Sequence, residues 1–172
     1  EFAAHLDDCP NSLDDVRAGR NVVGLRTFSK TYGLAGIRIG WGACPPAIAD
    51  AITRIREPFG VNALAQTAAI AALEDEQHLA ATIANNEQGL KTLADAFRAC
   101  GVQPCESHAN FVFADLGQPA QPVFQALLEQ GIIVRTLGHP TWIRVSVGLP
   151  EDNAAFAEAL GRVMGEDQAS RG

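Results

Sequence analysis

Hydrophobic positions change their spacing several times along the 172-residue chain, and each change marks a new element. Residues 1–20 carry acids, Pro10 and Asn11 and read as loop, with a short helix over 12–18 capped by Ser12 with Asp15 at its third position. Residues 21–27 form a β-prone run. Residues 37–43 form another, in which Ile37, Ile39 and Trp41 alternate with Arg38, Gly40 and Gly42. After Pro46 the apolar residues Ile48, Ile52 and Ile55 recur at helical spacing, and Pro58 with Gly60 ends that helix. Residues 62–100 read as a long helical region, capped by Asn62, rich in alanine and broken at Glu74-Asp75-Glu76. Its second part puts Leu79, Ile83, Leu90, Leu93 and Phe97 on one stripe.

The texture changes at Gly101. A short strand is expected at 102–104 and a buried one at 110–114. A helix over 119–130 ends at Gly131, strands follow at 132–136 and 142–147, and a last helix spans 150–164 with Phe156, Leu160 and Val163 on one face. Residues 165–172 read as a frayed tail. The last seventy or so residues thus describe a small α+β lobe, and the overall class is α/β.

Composition narrows the function. A formal charge of −7, with the thirteen basic residues scattered, argues against general nucleic-acid binding. No apolar run reaches the roughly 18–20 residues of a membrane span, and no signal peptide is expected. Cys9, Cys44, Cys100 and Cys105 form no CxxC, and the four histidines are far apart in sequence. Reduced thiols in the cytoplasm are the expectation, with no metal site.

Candidate chemistry lies in Thr27-Phe28-Ser29-Lys30-Thr31-Tyr32-Gly33, with Gly36 and Arg38 downstream. A lysine is a useful nucleophile only when part of its population is neutral, through burial or a neighbouring cation. Phe28, Leu34 and Ile37 could bury Lys30, and Arg38 could supply the cation. Thr27 and Ser29 offer hydroxyl donors, arginine grips phosphate through paired donors, and Gly33 and Gly36 let the backbone approach closely. An amine beside a phosphate cradle suggests pyridoxal 5'-phosphate (PLP), an aldehyde carrying a phosphate. Neither nucleotide-binding glycine fingerprint is present. Arg135 and Arg144 lie in β-prone runs, and a cation among apolar neighbours needs a partner, whether a ligand or a structural acid. Tyr32 and Trp41 read as packing residues, and His108 and His139 as loop histidines, His139 close in sequence to Arg135.

The run TFSKTYGLAGIRIGWG closely resembles the lysine segment of fold-type I PLP-dependent aminotransferases, class I/II, and most of all their histidinol-phosphate aminotransferase branch. The resemblance continues through SHANFVF, GIIVR and WIRVSVG. It implies that Lys30 bonds the cofactor and that Thr27, Ser29 and Arg38 hold its phosphate. It further implies that Arg144 receives the substrate carboxylate, that Arg135 helps hold a second anionic group, and that Asn110 contacts the substrate. The implied organisation is part of a large PLP-binding domain over 1–60, an interdomain helical region over 61–100, a small α+β domain over 101–165 and a tail. Amino-acid and 2-oxo-acid substrates and a homodimer are expected. The resemblance covers only the C-terminal half of such enzymes. The aspartate that pairs with the pyridinium nitrogen, in an Asp-x-x-Tyr segment leading into a Glu-Phe like Glu1-Phe2, is not among these residues. An inactive fragment is therefore expected. Residues 136–141 are shorter than in many relatives, which leaves room for an aromatic or another amino acid in place of histidinol phosphate. A threonine-phosphate-type PLP decarboxylase and a non-catalytic module are the alternatives.

Overall fold

The computed structural model describes residues 2, 3, 6 and 9–169. Glu1 of the Glu-Phe pair lies outside the described residues, as do 170–172 of the expected tail. The elements run α1 (Ser12–Arg17), β1 (Gly24–Thr27), β2 (Gly40–Ala43), α2 (Pro46–Ile55), α3 (Ala63–Glu74), α4 (Glu76–Ala99), β3 (Phe111–Asp115), α5 (Ala120–Glu129), β4 (Trp142–Ser146) and α6 (Pro150–Ala169). The chain divides into two compact units, Glu1–Thr82 and Ile83–Gly172, so the division falls inside α4.

In the first unit β1 and β2 pair antiparallel, from Gly24 opposite Ala43 to Thr27 opposite Gly40. The pairing needs glycine at position 40, where a Cβ would come within 2.7 Å of the Arg26 carbonyl oxygen. The second strand is shorter than its alternating pattern suggests. Arg38 has a left-handed backbone (φ 62°), which breaks the extended run before Gly40. The cap of α1 is Asn11 rather than Ser12, its side chain accepting from Leu13 N at 3.1 Å. Asn62 caps α3 as expected, accepting from Ala65 N at 2.8 Å. The α3–α4 break falls at Asp75, whose carboxylate accepts from His78 N at 2.9 Å. Little of this unit is interior. Phe28, Thr31, Ala65 and Ala69 are buried, whereas α2 buries nothing, and Ile55, Phe59, Leu64 and Leu25 are mostly exposed. Trp41, expected to pack, stands 44% exposed on β2.

The second unit has a proper core. Leu93 and Phe97 of α4, Val112 and Ala114 of β3, Val123 and Leu127 of α5, Ile143 and Val145 of β4, and Phe156 and Leu160 of α6 form one buried cluster. Each fully buried large side chain there contributes about 1.5–3 kcal/mol of transfer free energy. The helical stripes of α4 and α6 supply their expected faces, and the Phe97 and Phe156 rings meet at 5.6 Å. Strands β3 and β4 are antiparallel, Phe111 opposite Ser146 and Phe113 opposite Arg144.

Three expectations change here. Residues 132–136 make only an isolated bridge, Arg135 with Arg144, because Leu137 (φ 52°) and Gly138 (φ 72°) turn the chain away at once. His139 N donates to Thr136 O at 3.0 Å, so this is a tight turn of the primed kind. Residues 102–104 likewise give a single bridge, Pro104 with Ala114. The last helix does not fray at Gly165 but continues to Ala169. No helix among the described residues is long and apolar enough to cross a membrane.

Candidate functional site

In the first unit the candidate residues gather where β1 ends. Ser29 N donates to Thr27 Oγ1 at 3.0 Å, and the Thr27 hydroxyl donates to Ser29 Oγ at 2.9 Å. Arg38 Nη1 reaches Ser29 Oγ at 3.4 Å and Ala35 O at 2.7 Å. Arg38 makes these contacts from a left-handed backbone, a conformation that costs an arginine roughly 1–2 kcal/mol. With Thr27 and Arg38 both donating to it, Ser29 keeps its own O–H for an incoming acceptor. With the Thr27 O–H engaged on Ser29, the Ser29 hydroxyl and the Arg38 guanidinium are the donors this arrangement presents to a phosphate.

Lys30 follows directly. Gly33 N donates to Lys30 O at 2.9 Å, and Gly33 turns the chain with φ 69°. The burial expected of Lys30 is not supplied by its own unit, where its side chain is exposed. Phe28 turns inward against Tyr32, their rings 4.9 Å apart, instead of covering the amine. Tyr32 is thus a packing residue, as expected. Thr31 beside it is 1% exposed, and among the described residues its Oγ1 has no hydrogen-bond partner.

In the second unit the open face of the β3–β4 sheet holds the other candidates. Val112, Ala114, Ile143 and Val145 point to the core, so by strand alternation Phe111, Phe113, Trp142 and Arg144 share the opposite face. Arg135 joins them. It exchanges both backbone bonds with Arg144, Arg135 N to Arg144 O at 3.0 Å and Arg144 N to Arg135 O at 2.7 Å. Residues directly opposite in this way put their side chains on one face. Two like charges are thereby brought together, an unfavourable arrangement that an anion would reverse.

Among the described residues neither guanidinium has an acidic partner. Arg144 is half-buried, its Nε wholly shielded without a hydrogen bond, and its Cζ lies 5.0 Å from the Phe111 ring centroid. The structural salt bridge that would explain such an arginine without a ligand is not present there.

Asn110 ends the loop before β3, and its O accepts from Val147 N at 2.9 Å. The loop is held by Ser107, whose hydroxyl donates to Phe111 O at 2.6 Å, and by Asn86 of α4, whose Nδ2 donates to Ala109 O at 3.0 Å. Asn86 is 5% exposed, and among the described residues its Oδ1 has no hydrogen-bond partner. Sequence reasoning assigned it nothing, yet a polar pair at Asn85-Asn86 within a helical run was a signal that a backbone needed anchoring there.

Trp142 was missed in the same way. Its ring packs tilted against Phe113 at 4.6 Å and meets His139 edge-on at 5.9 Å, so His139 stands at the aromatic end of the arginine face. Asp115, opposite Trp142, has its carboxyl held below the usual range. The Gly117 backbone N–H is the main cause, then the Thr141 side chain, with His139 and Trp142 adding to it. His108 lies 3.6 Å from Glu106 on the surface.

Comparison with known proteins gives the family. The model of the family "Aminotransferase class I and II" matches residues 1–160. Histidinol-phosphate aminotransferase 2 of Pseudomonas aeruginosa is 46% identical over 167 residues, which is 95% of this chain and 45% of that protein. The histidinol-phosphate aminotransferase of Sinorhizobium meliloti, solved in complex with pyridoxal-5'-phosphate, is 33% identical with a TM-score of 0.78, covering 85% of this chain and 42% of that one. The corresponding enzyme of Clostridium acetobutylicum shares the fold at a TM-score of 0.85 and 22% identity, over 93% of this chain and 51% of its own. The chain spans about half the length of the relatives it matches. With a family model matching nearly its whole length and this fold, the chain belongs to the class I and II aminotransferases.

Proposed function

We propose that this chain is the lysine-bearing part of a PLP-dependent aminotransferase. The whole protein would move an amino group between an amino acid, or histidinol phosphate, and a 2-oxo acid such as 2-oxoglutarate. The observation that carries the reading is the convergence of Thr27 and Arg38 on the Ser29 hydroxyl, immediately before Lys30. That donor set fits the cofactor's phosphate, and Lys30 Nζ stands next in the chain to bond its aldehyde. When bound, PLP supplies that aldehyde and an electron-withdrawing ring.

The chain's own residues have distinct work. Thr27, Ser29 and Arg38 hold the phosphate and so fix where the aldehyde meets Lys30. Lys30 Nζ would also serve as the base that takes the proton from the substrate Cα. Arg144 would grip the substrate carboxylate through paired donors. Arg135, paired with Arg144 through the backbone, offers a second cation for a side-chain phosphate or carboxylate. Asn110, just before β3, would contact the substrate on this reading.

The test is an assay of the whole protein with histidinol phosphate and a panel of amino acids against 2-oxoglutarate. Glutamate should form in step with the new oxo product, and Lys30→Ala should abolish it. Carbon dioxide release without an oxo product would overturn the reading in favour of a decarboxylase.

These 172 residues alone are inactive on this reading, because they span under half of the matched relative. Amino-group transfer catalysed by these residues alone would contradict that. The whole protein is further proposed to be a cytoplasmic homodimer, checked by light scattering and cell fractionation.

A further inference from the structure

We propose that Phe111 is a positioning residue for Arg144, an inference that rests on Arg144 receiving the substrate carboxylate. A half-buried guanidinium ordinarily has a carboxylate beside it, since an unpaired buried cation is costly. Here, among the described residues, the place is taken by the Phe111 ring, 5.0 Å below the Arg144 Cζ. The face of an aromatic ring carries negative charge density, so it attracts the cation without occupying any of its N–H donors.

The distinction matters for function. An acidic partner would neutralise Arg144 and compete with the incoming carboxylate. The ring stabilises the cation over the sheet and leaves its Nη groups unengaged among the described residues. The backbone fixes the pairing. Phe111 lies opposite Ser146 and Arg144 opposite Phe113, so Phe111 and Arg144 are diagonal neighbours on one face. Val112 and Val145, buried on the other face, prevent a register slip, which would drive both out of place. At its carbonyl, Phe111 is tied to the Ser107 hydroxyl at 2.6 Å.

The experiment uses the whole, cofactor-loaded protein with Phe111→Leu, Phe111→Tyr, and pentafluorophenylalanine at position 111. The last keeps the ring's shape and removes the negative face. Binding of 2-oxoglutarate is followed by tryptophan fluorescence, alongside KM and kcat. Weakening by about threefold to thirtyfold is expected for the leucine and fluorinated variants, with kcat and cofactor absorbance little changed. Phe111→Tyr should remain within about twofold of the native protein. If the leucine variant does not fold, the fluorinated one carries the test.

Unchanged affinity in the fluorinated variant, or a tyrosine variant as weak as leucine, overturns the proposal. Arg144→Gln is measured in parallel. If it loses affinity while the Phe111 variants do not, the positioning role alone is wrong. If it keeps affinity, the functional reading falls, and the proposal with it.

Discussion

Replacing Arg135 with glutamine should move stability and substrate binding in opposite directions. Arg135 and Arg144 exchange both backbone hydrogen bonds, which makes them a narrow antiparallel pair with Cα atoms about 5.5 Å apart. Like charges directly opposite cost up to about 1 kcal/mol. Arg135 is exposed, so solvent and salt reduce the repulsion to roughly 0.3 kcal/mol. Arg135→Gln removes it and should leave the protein unchanged or slightly more stable. Its guanidinium, however, would make charge-assisted bonds to the substrate's second anion, each worth about 1.5–3 kcal/mol. Losing one raises KM for a dianionic substrate by about tenfold to a hundredfold. The assay is thermal unfolding with and without substrate, beside steady-state kinetics, across a salt series. The small stabilisation should vanish near 1 M salt, where the screening length is about 3 Å. A loss of more than about 1 kcal/mol of stability, or an unchanged KM, would refute the idea that these arginines are held apart from acids for a ligand.

Other perturbations separate the parts of the account. Arg38→Gly relieves a left-handed arginine, worth roughly 1 kcal/mol, but removes the guanidinium beside Ser29. Cofactor-free protein should become no less stable while PLP affinity falls about tenfold or more, read by absorbance titration. Gly40→Ala puts a Cβ 2.7 Å from a backbone oxygen that cannot step aside, so melting should drop by the equivalent of about 1–3 kcal/mol, with earlier cofactor release. Asp115 has a depressed carboxyl pKa in the folded state, so the unfolded chain binds more protons at acid pH. Its contribution is full above its ordinary value of about 3.9 and is lost as pH falls below that. Asp115→Asn should flatten the acid limb of a melting-versus-pH curve, and an unchanged limb would show that the carboxylate does not hold residues 115–117 and 141–142 together.

Patterns that depend on neighbouring residues were legible before the structure. The stripe through Leu93 and Phe97, the Asn62 cap and the alternation of Val112 and Ala114 are local consequences of helical and strand periods. The grouping Thr27, Ser29, Arg38 was legible because all three lie within a dozen residues. What alternation could not show was Arg38's positive φ, which ends the strand pattern and makes the hydroxyl contact possible. The pairing of Arg135 with Arg144 was hidden for another reason. It depends on a turn at Leu137 and Gly138, and leucine is a poor signal for a left-handed backbone. Phe111 and Asn86 serve residues far away in sequence, and such service leaves little local trace. The exposed Lys30 and the bare helix α2 show why burial was misjudged in the first unit: apolar spacing says which face wants cover, not what supplies it.

The central claim is that Lys30 bonds the cofactor, and the chain offers a clean control because its only other lysine is Lys91, in α4. Whole protein loaded with PLP is reduced with borohydride, digested and mapped by mass spectrometry. A phosphopyridoxyl group is expected on Lys30 and none on Lys91. A label on Lys91, or an unlabelled Lys30 in protein that retains the cofactor, would contradict it.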